Sequence, residues 1–107
     1  MVFLMTFTLA TPEDIMCALG ARLREQRLAQ ALSQLDLSQM AGLSLGAVRK
    51  LERDGQCSME TLIRAAHALG VTAELEDLFL LKRQSIAQMK QAEAASQRQR
   101  APRRKPA

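Results

Sequence analysis

The stretch from Ser33 to Arg53 constrains the fold of this chain more than any other, because it holds two short helical patterns and the residues that force a tight bend between them. Ser33 is an N-cap residue, and Leu37, Met40 and Ala41 follow it at the spacing of one helix face. Gly42 stands where a helix ends on a left-handed backbone, and Ser44 caps a second pattern with Val48 and Leu51 facing inward. Two helices crossing steeply over a turn of about three to four residues need a small residue at their closest approach and a glycine at the bend. Ser38 and Gly42 meet both needs, and Asp54-Gly55 then makes a turn.

Further helices flank this pair. Thr11-Pro12-Glu13-Asp14 is a helix start, with Thr as cap, Pro at the first helical position and acids facing the helix dipole. Ile15, Leu19 and Leu23 then share one face of a helix running to Leu28 or Gln30. Ser58 caps a fourth helix with Met59, Leu62, Ile63, Ala66 and Leu69 inward and Gly70 closing it. Thr72 starts a fifth, with Leu75, Leu78 and Phe79 in register. The chain has no Tyr or Trp and only three Phe, so Leu, Ile, Val, Met and Ala must fill the core, which favours an all-α fold over sheets. At 107 residues this is one domain with a tail. The expected organisation is an extended N-terminal arm over residues 1–10, a helical domain over 11–81, and a basic tail over 82–107 that is partly helical and then disordered. The arm, carrying Phe3 and Phe7, suits a β-strand that pairs with its twin in a dimer; Met5 is an alternative start.

Charge is unevenly placed. Residues 1–81 carry seven basic and ten acidic side chains, whereas residues 82–107 carry eight basic and one acidic, so the helical part is not a general polycation. Within it, Arg22, Arg24, Arg27, Arg49, Lys50 and Arg53 outnumber Glu25, Asp36 and Glu52 between positions 22 and 53. Such a strip suits a phosphate-facing surface or a solvated helical face. The tail has three readings: a solvated end, an arm along nucleic-acid phosphates, or a segment that folds on a protein partner.

Catalytic and metal chemistry find no footing. Cys17 and Cys57 form no C-x-x-C pair and no His cluster accompanies them, so neither a zinc site nor a disulfide framework is expected, and a reducing cytoplasm is the default. Cys17 reads as a small core or interface residue; Cys57, just before a helix cap, reads as an accessible thiol where a thiolate is stabilised. His67 has no Ser, Cys or carboxylate partner at a useful spacing. The apolar opening Met1–Leu9 lacks a basic flank and is too short to span a bilayer. A non-enzyme without cofactor or metal is expected.

The window resembles the helix-turn-helix of the Cro/C1-type (XRE) family of bacterial and phage repressors. The resemblance runs from Leu19-Gly-Ala-Arg-Leu-Arg-Glu-Gln-Arg27 through Leu32-Ser-Gln34, Met40-Ala-Gly-Leu-Ser44 and Val48-Arg-Lys-Leu-Glu-Arg53 to Ser58-Met-Glu-Thr-Leu62 and Ala68-Leu-Gly-Val71, covering roughly residues 15–80. It implies a five-helix, lambda-repressor-like DNA-binding domain. It also implies a structural ion pair between Arg27 and Glu52, a phosphate contact from Gln34, and a recognition helix that offers Ser44, Leu45, Gly46, Ala47, Arg49, Lys50 and Arg53 to double-stranded DNA. Leu45, Gly46 and Ala47 depart from the pattern, standing where polar readers are common. Arg49 or Lys50 suits guanine O6 and N7, and Leu45 or Ala47 a thymine methyl; the alternatives are a packing or dimer role for Leu45 and a solvated face for the two cations.

A homodimeric repressor on an inverted repeat follows from the same resemblance, with Phe3, Phe7, Leu75, Leu78 and Phe79 as its dimer surface. More narrowly, Leu51-Glu-Arg53, Ser58-Met-Glu-Thr-Leu-Ile-Arg64 and Ala68-Leu-Gly-Val71 with a basic tail resemble the HipB-type antitoxins, which repress their own operon and bind a HipA-type Ser/Thr kinase toxin. A stand-alone or phage-type regulator with no toxin partner and a mainly protein-binding, neutralising module remain as alternatives.

Overall fold

A computed structural model describes residues 6–81 and 90–97 of the chain. All described regular structure is helical: α1 (Pro12–Ala29), α2 (Gln34–Ala41), α3 (Leu45–Asp54) and α4 (Met59–Ala68), with 3-10 turns at Phe7–Leu9 and Thr72–Leu75. The chain divides into two compact units, Met1–Glu76 and Asp77–Ala107. In the second unit residues 90–97 are helical. The expected tail beyond position 98 and Phe3 of the arm fall outside the described residues.

Each helix of the first unit starts where a side-chain oxygen replaces a missing backbone acceptor. Thr11, Ser33, Ser44 and Ser58 accept hydrogen bonds from the backbone N–H groups of Asp14 (3.1 Å), Asp36 (2.9 Å), Ala47 (3.0 Å) and Thr61 (3.1 Å). Asp14 and Asp36 return the favour by accepting from the backbone N–H of Thr11 and Ser33, completing two capping boxes. Gly42 ends α2 at φ 68°, a conformation that costs a side-chain-bearing residue, and this turn brings the Leu43 N–H to the Ser38 carbonyl at 2.8 Å.

The core is Leu23, Leu37, Ala41, Val48, Leu51, Ala65 and Leu69, with Leu32, Leu43, Leu62, Ala68 and Val71 packed against it. Not every apolar residue expected inside is there: Leu19, Met40, Met59 and Ile63 are exposed and Ile15 is half-buried. On α2 the buried stripe is Leu37, Ser38 and Ala41, so its centre lies roughly a third of a turn from Met40. On α4, Ala65 and Ala66 are the buried residues, which rotates Ile63 out of the core by a similar angle.

Helices α1 and α3 approach at backbone distance. A Cβ on Gly20 would fall on the Leu51 carbonyl oxygen, and one on Gly55, itself at φ 73°, on the backbone of Met16. Two other expectations change. Residues 7–9 form a 3-10 turn rather than an extended arm, because Leu9 and Ala10 N–H groups bond the carbonyls of Thr6 and Phe7 (3.0 and 3.2 Å) and the Phe7 ring lies under the Arg22 guanidinium at 5.0 Å. The fifth helical element begins at Thr72 as expected but is a single 3-10 turn, after which Leu78 and Phe79 are exposed.

Candidate nucleic-acid interface

One buried ion pair sets the geometry of the helix-turn-helix. Arg27, near the end of α1, donates from Nε to Glu52 Oε2 at 2.7 Å and from Nη2 to Glu52 Oε1 at 2.9 Å, while Nη1 reaches the Leu32 carbonyl at 2.7 Å. Gln34, the first residue of α2, donates from Nε2 to the same Glu52 carboxylate at 3.2 Å. Three elements are thereby tied at one point: the end of α1, the start of α2 and the end of α3. Arg27 is 6% exposed and Glu52 7%, so the pair is shielded from water. Burial pushes the Glu52 carboxyl up, but hydrogen bonds from Arg27 and Gln34 and the charges of Arg27 and Arg24 outweigh it and hold the group below the usual glutamate range. The Glu52 hydrogen bond correspondingly raises Arg27, against an opposing effect of burial.

Locking one face of α3 leaves the other free. Val48, Leu51 and Glu52 are buried, whereas Gly46, Arg49, Lys50 and Arg53, at i, i+3, i+4 and i+7, are exposed along the opposite side. Space beside Gly46 is open, its nearest neighbour for an added Cβ being the Ser44 hydroxyl at 4.0 Å. Leu45 and Ala47 are half-buried flanks of this face. Ser44 is exposed, and its oxygen already accepts from Ala47, which leaves its O–H as a donor. Arg53 makes an exposed contact with Asp54 at 3.4 Å. Gln34 is half-buried and keeps a second amide hydrogen beyond its bond to Glu52. The structure thus places Leu45, Gly46, Ala47, Arg49, Lys50 and Arg53 on the first turn and outer side of α3, with Ser44 as its cap, and ties Gln34 to the same helix through Glu52.

Residues not singled out in the sequence join this surface. Gln56 and Thr61 line a cleft with Ala47, Lys50 and Cys57, because Gly55 turns the chain back beside α3. Only the Asp54-Gly55 pair hinted at that return. The expected thiolate at Cys57 is not favoured: partial burial pushes its thiol up, against a weaker opposing backbone hydrogen bond. Cys17 is exposed rather than core, its Sγ donating to the Asp54 carbonyl at 3.7 Å. Among the residues expected at a dimer surface, Phe7 and Leu75 are half-buried in the first unit, and Leu78 and Phe79 are exposed in the second. Among the described residues no group of three or more His, Cys, Asp or Glu side chains is placed to hold a metal ion, and no helix is long and apolar enough to cross a membrane.

A family described as "Helix-turn-helix" matches residues 23–75, which take in the ion pair and the whole outer face of α3. No curated protein matches the chain. Among solved structures, the chain is similar to the restriction-modification controller protein C.AhdI from Aeromonas hydrophila. The two are 34% identical, the match covers 54% of this chain and 89% of that one, and the TM-score is 0.52.

Proposed function

This chain belongs to the XRE-type helix-turn-helix family of DNA-binding transcriptional regulators, and on that premise we propose that it is a repressor that binds an inverted repeat in its own promoter region as a homodimer. The observation that carries the reading is the outer face of α3, where Arg49 and Lys50 stand exposed on a helix whose inner face is fixed by the Arg27–Glu52 pair. A rigid helix with two cations at adjacent positions can present a bidentate donor to guanine while its neighbour meets a phosphate. One short helix reads few base pairs, so a two-fold pair of subunits doubles the site. The similar C.AhdI is a restriction-modification controller protein, which favours a regulatory role.

The antitoxin reading, with a HipA-type kinase as second partner, is the narrower form of the same proposal. Several residues that carry that resemblance have work in the fold: Leu51 is core, Glu52 holds Arg27, Ser58 caps α4, and Leu69 closes the core, while Arg53, Met59, Ile63 and Arg64 are exposed. The exposed face of α3 supports the regulator reading directly, and co-purification with a kinase-like partner tests the narrower one.

Footprinting on the upstream region of the gene tests it. Replacing both Arg49 and Lys50 by Ala should remove the footprint, each lost base contact being worth about 1–3 kcal/mol, while the helical circular dichroism stays unchanged. Retained specific binding would refute the assignment of α3 as the reading helix.

A further inference from the structure

The cleft beside α3, about 260 Å³ and lined by Ala47, Lys50, Gln56, Cys57 and Thr61, is furnished for a particular kind of ligand. Lys50 brings an exposed ammonium, and no carboxylate joins it in the lining. Thr61 Oγ1 accepts from the Ser58 hydroxyl at 3.1 Å, which leaves the Thr61 hydroxyl hydrogen to be donated. Gln56 is fixed by its backbone, whose N–H donates to Asp54 Oδ1 at 3.0 Å, so its exposed side-chain amide is available. The acids that flank these residues in sequence are engaged elsewhere: Asp54 with Arg53 at 3.4 Å, and Glu60 with Arg64 at 2.8 Å. Burial pushes the Cys57 thiol up, which keeps it neutral at neutral pH. One positive charge and two neutral donors thus meet with no negative charge in the lining, which is what a phosphate group requires. Arg49 is not part of the lining; one position before Lys50, it lies about 100° away around α3.

We propose that the two adjacent cations of α3 have separate tasks: Lys50, with Thr61 and Gln56, holds a backbone phosphate of the DNA in this cleft, and Arg49 reads a base. The chemistry of each side chain agrees with its place. An ammonium on a flexible stem is a point charge that serves a phosphate whatever the sequence, whereas a planar guanidinium meets guanine O6 and N7 with two parallel donors. A phosphate held between α3 and the start of α4 also fixes how α3 enters the groove, because the turn at Gly55 is packed against the backbone of Met16 and cannot yield. The inference rests on the DNA-binding reading above and deepens it, naming which cation positions the duplex and which one specifies its sequence.

The test uses the full chain and measures binding to the footprinted site, to that site with each base pair changed in turn, and to a duplex of random sequence, over a range of salt concentrations. Lys50→Ala should weaken all of these by a similar factor and lower the slope of log affinity against log salt by about one. Thr61→Val and Gln56→Ala should each weaken all of them about three- to tenfold with the slope unchanged, since each removes a donor and no charge. In the Lys50→Ala background Thr61→Val should cost less than it does alone, because the two residues hold one phosphate. Arg49→Ala should instead erase a preference of at least about fivefold at one base pair of each half-site. Helical circular dichroism should match the wild type in every variant, since none of the four positions belongs to the core. Loss of a base preference in Lys50→Ala overturns the proposal. So does wild-type affinity in both Thr61→Val and Gln56→Ala, or an unchanged salt slope in Lys50→Ala. A wild-type chain that binds random duplex yet leaves no footprint refutes the repressor reading, while the losses on random duplex still decide the role of the cleft.

Discussion

Glu52 carries more of the helix-turn-helix than any residue that would touch DNA. Its carboxylate receives Arg27 in bidentate fashion and Gln34 besides, inside a site closed to water. Glu52→Ala would leave the Arg27 guanidinium buried without its counter-charge, only the Leu32 carbonyl still accepting from it, and a loss of about 3–5 kcal/mol in urea unfolding is expected. Replacing Arg27 by Met and Glu52 by Leu together should recover much of that loss, because the desolvation cost disappears with the charges. The pair also sets a pH dependence. Folded Glu52 sits below its unfolded value, so its contribution is complete above the ordinary glutamate pKa of about 4.3 and is lost as the pH falls through the folded value. Urea midpoints measured between neutral pH and pH 3 should therefore fall on acidification, and more shallowly in the Arg27→Met, Glu52→Leu protein.

At the scale of elements, the closeness of α1 and α3 is what holds the reading helix to the rest of the unit. Glycine in the middle of an exposed helix ordinarily costs about 0.5–1 kcal/mol relative to alanine. Gly20 should show the opposite sign, since a methyl group there meets the Leu51 carbonyl, a backbone atom that cannot swing aside. Gly20→Ala is thus expected to destabilise by about 1–3 kcal/mol, as overpacking does, and thermal unfolding decides it. The same displacement would tilt α3 against α2, so operator affinity should fall along with stability.

For the whole molecule, charge is divided between parts with different tasks. Residues 1–81 are net acidic, so the helical unit depends on the local cations of α3 rather than on a general positive field. Residues 98–107 contain Arg98, Arg100, Arg103, Arg104 and Lys105. If the tail follows phosphates, removing this segment should lower the slope of log affinity against log salt by up to about four, and binding measured over a range of salt concentrations reads that directly. An unchanged slope would assign the tail to solvent or to a protein partner.

Where α1 to α4 begin was settled by the sequence alone, because a cap is decided within about four residues: Thr11, Ser33, Ser44 and Ser58 each find a backbone donor three positions on. The bend at Gly42 is equally local and helical period sets Val48 and Leu51 inward, while the residues of α3 that face outward came through the family resemblance. The pairing of Arg27 with Glu52 came only through a family resemblance, and its bidentate geometry with Gln34 as third member only from the structure. Tertiary packing alone decided that Ser38 and Ala65 are buried while Met40 and Ile63 are not, that Gly20 and Gly55 exist for backbone contact, and that the Cys57 thiol is pushed up. Each of those outcomes depends on residues tens of positions away, and periodicity carries no information about which neighbour will arrive or how closely.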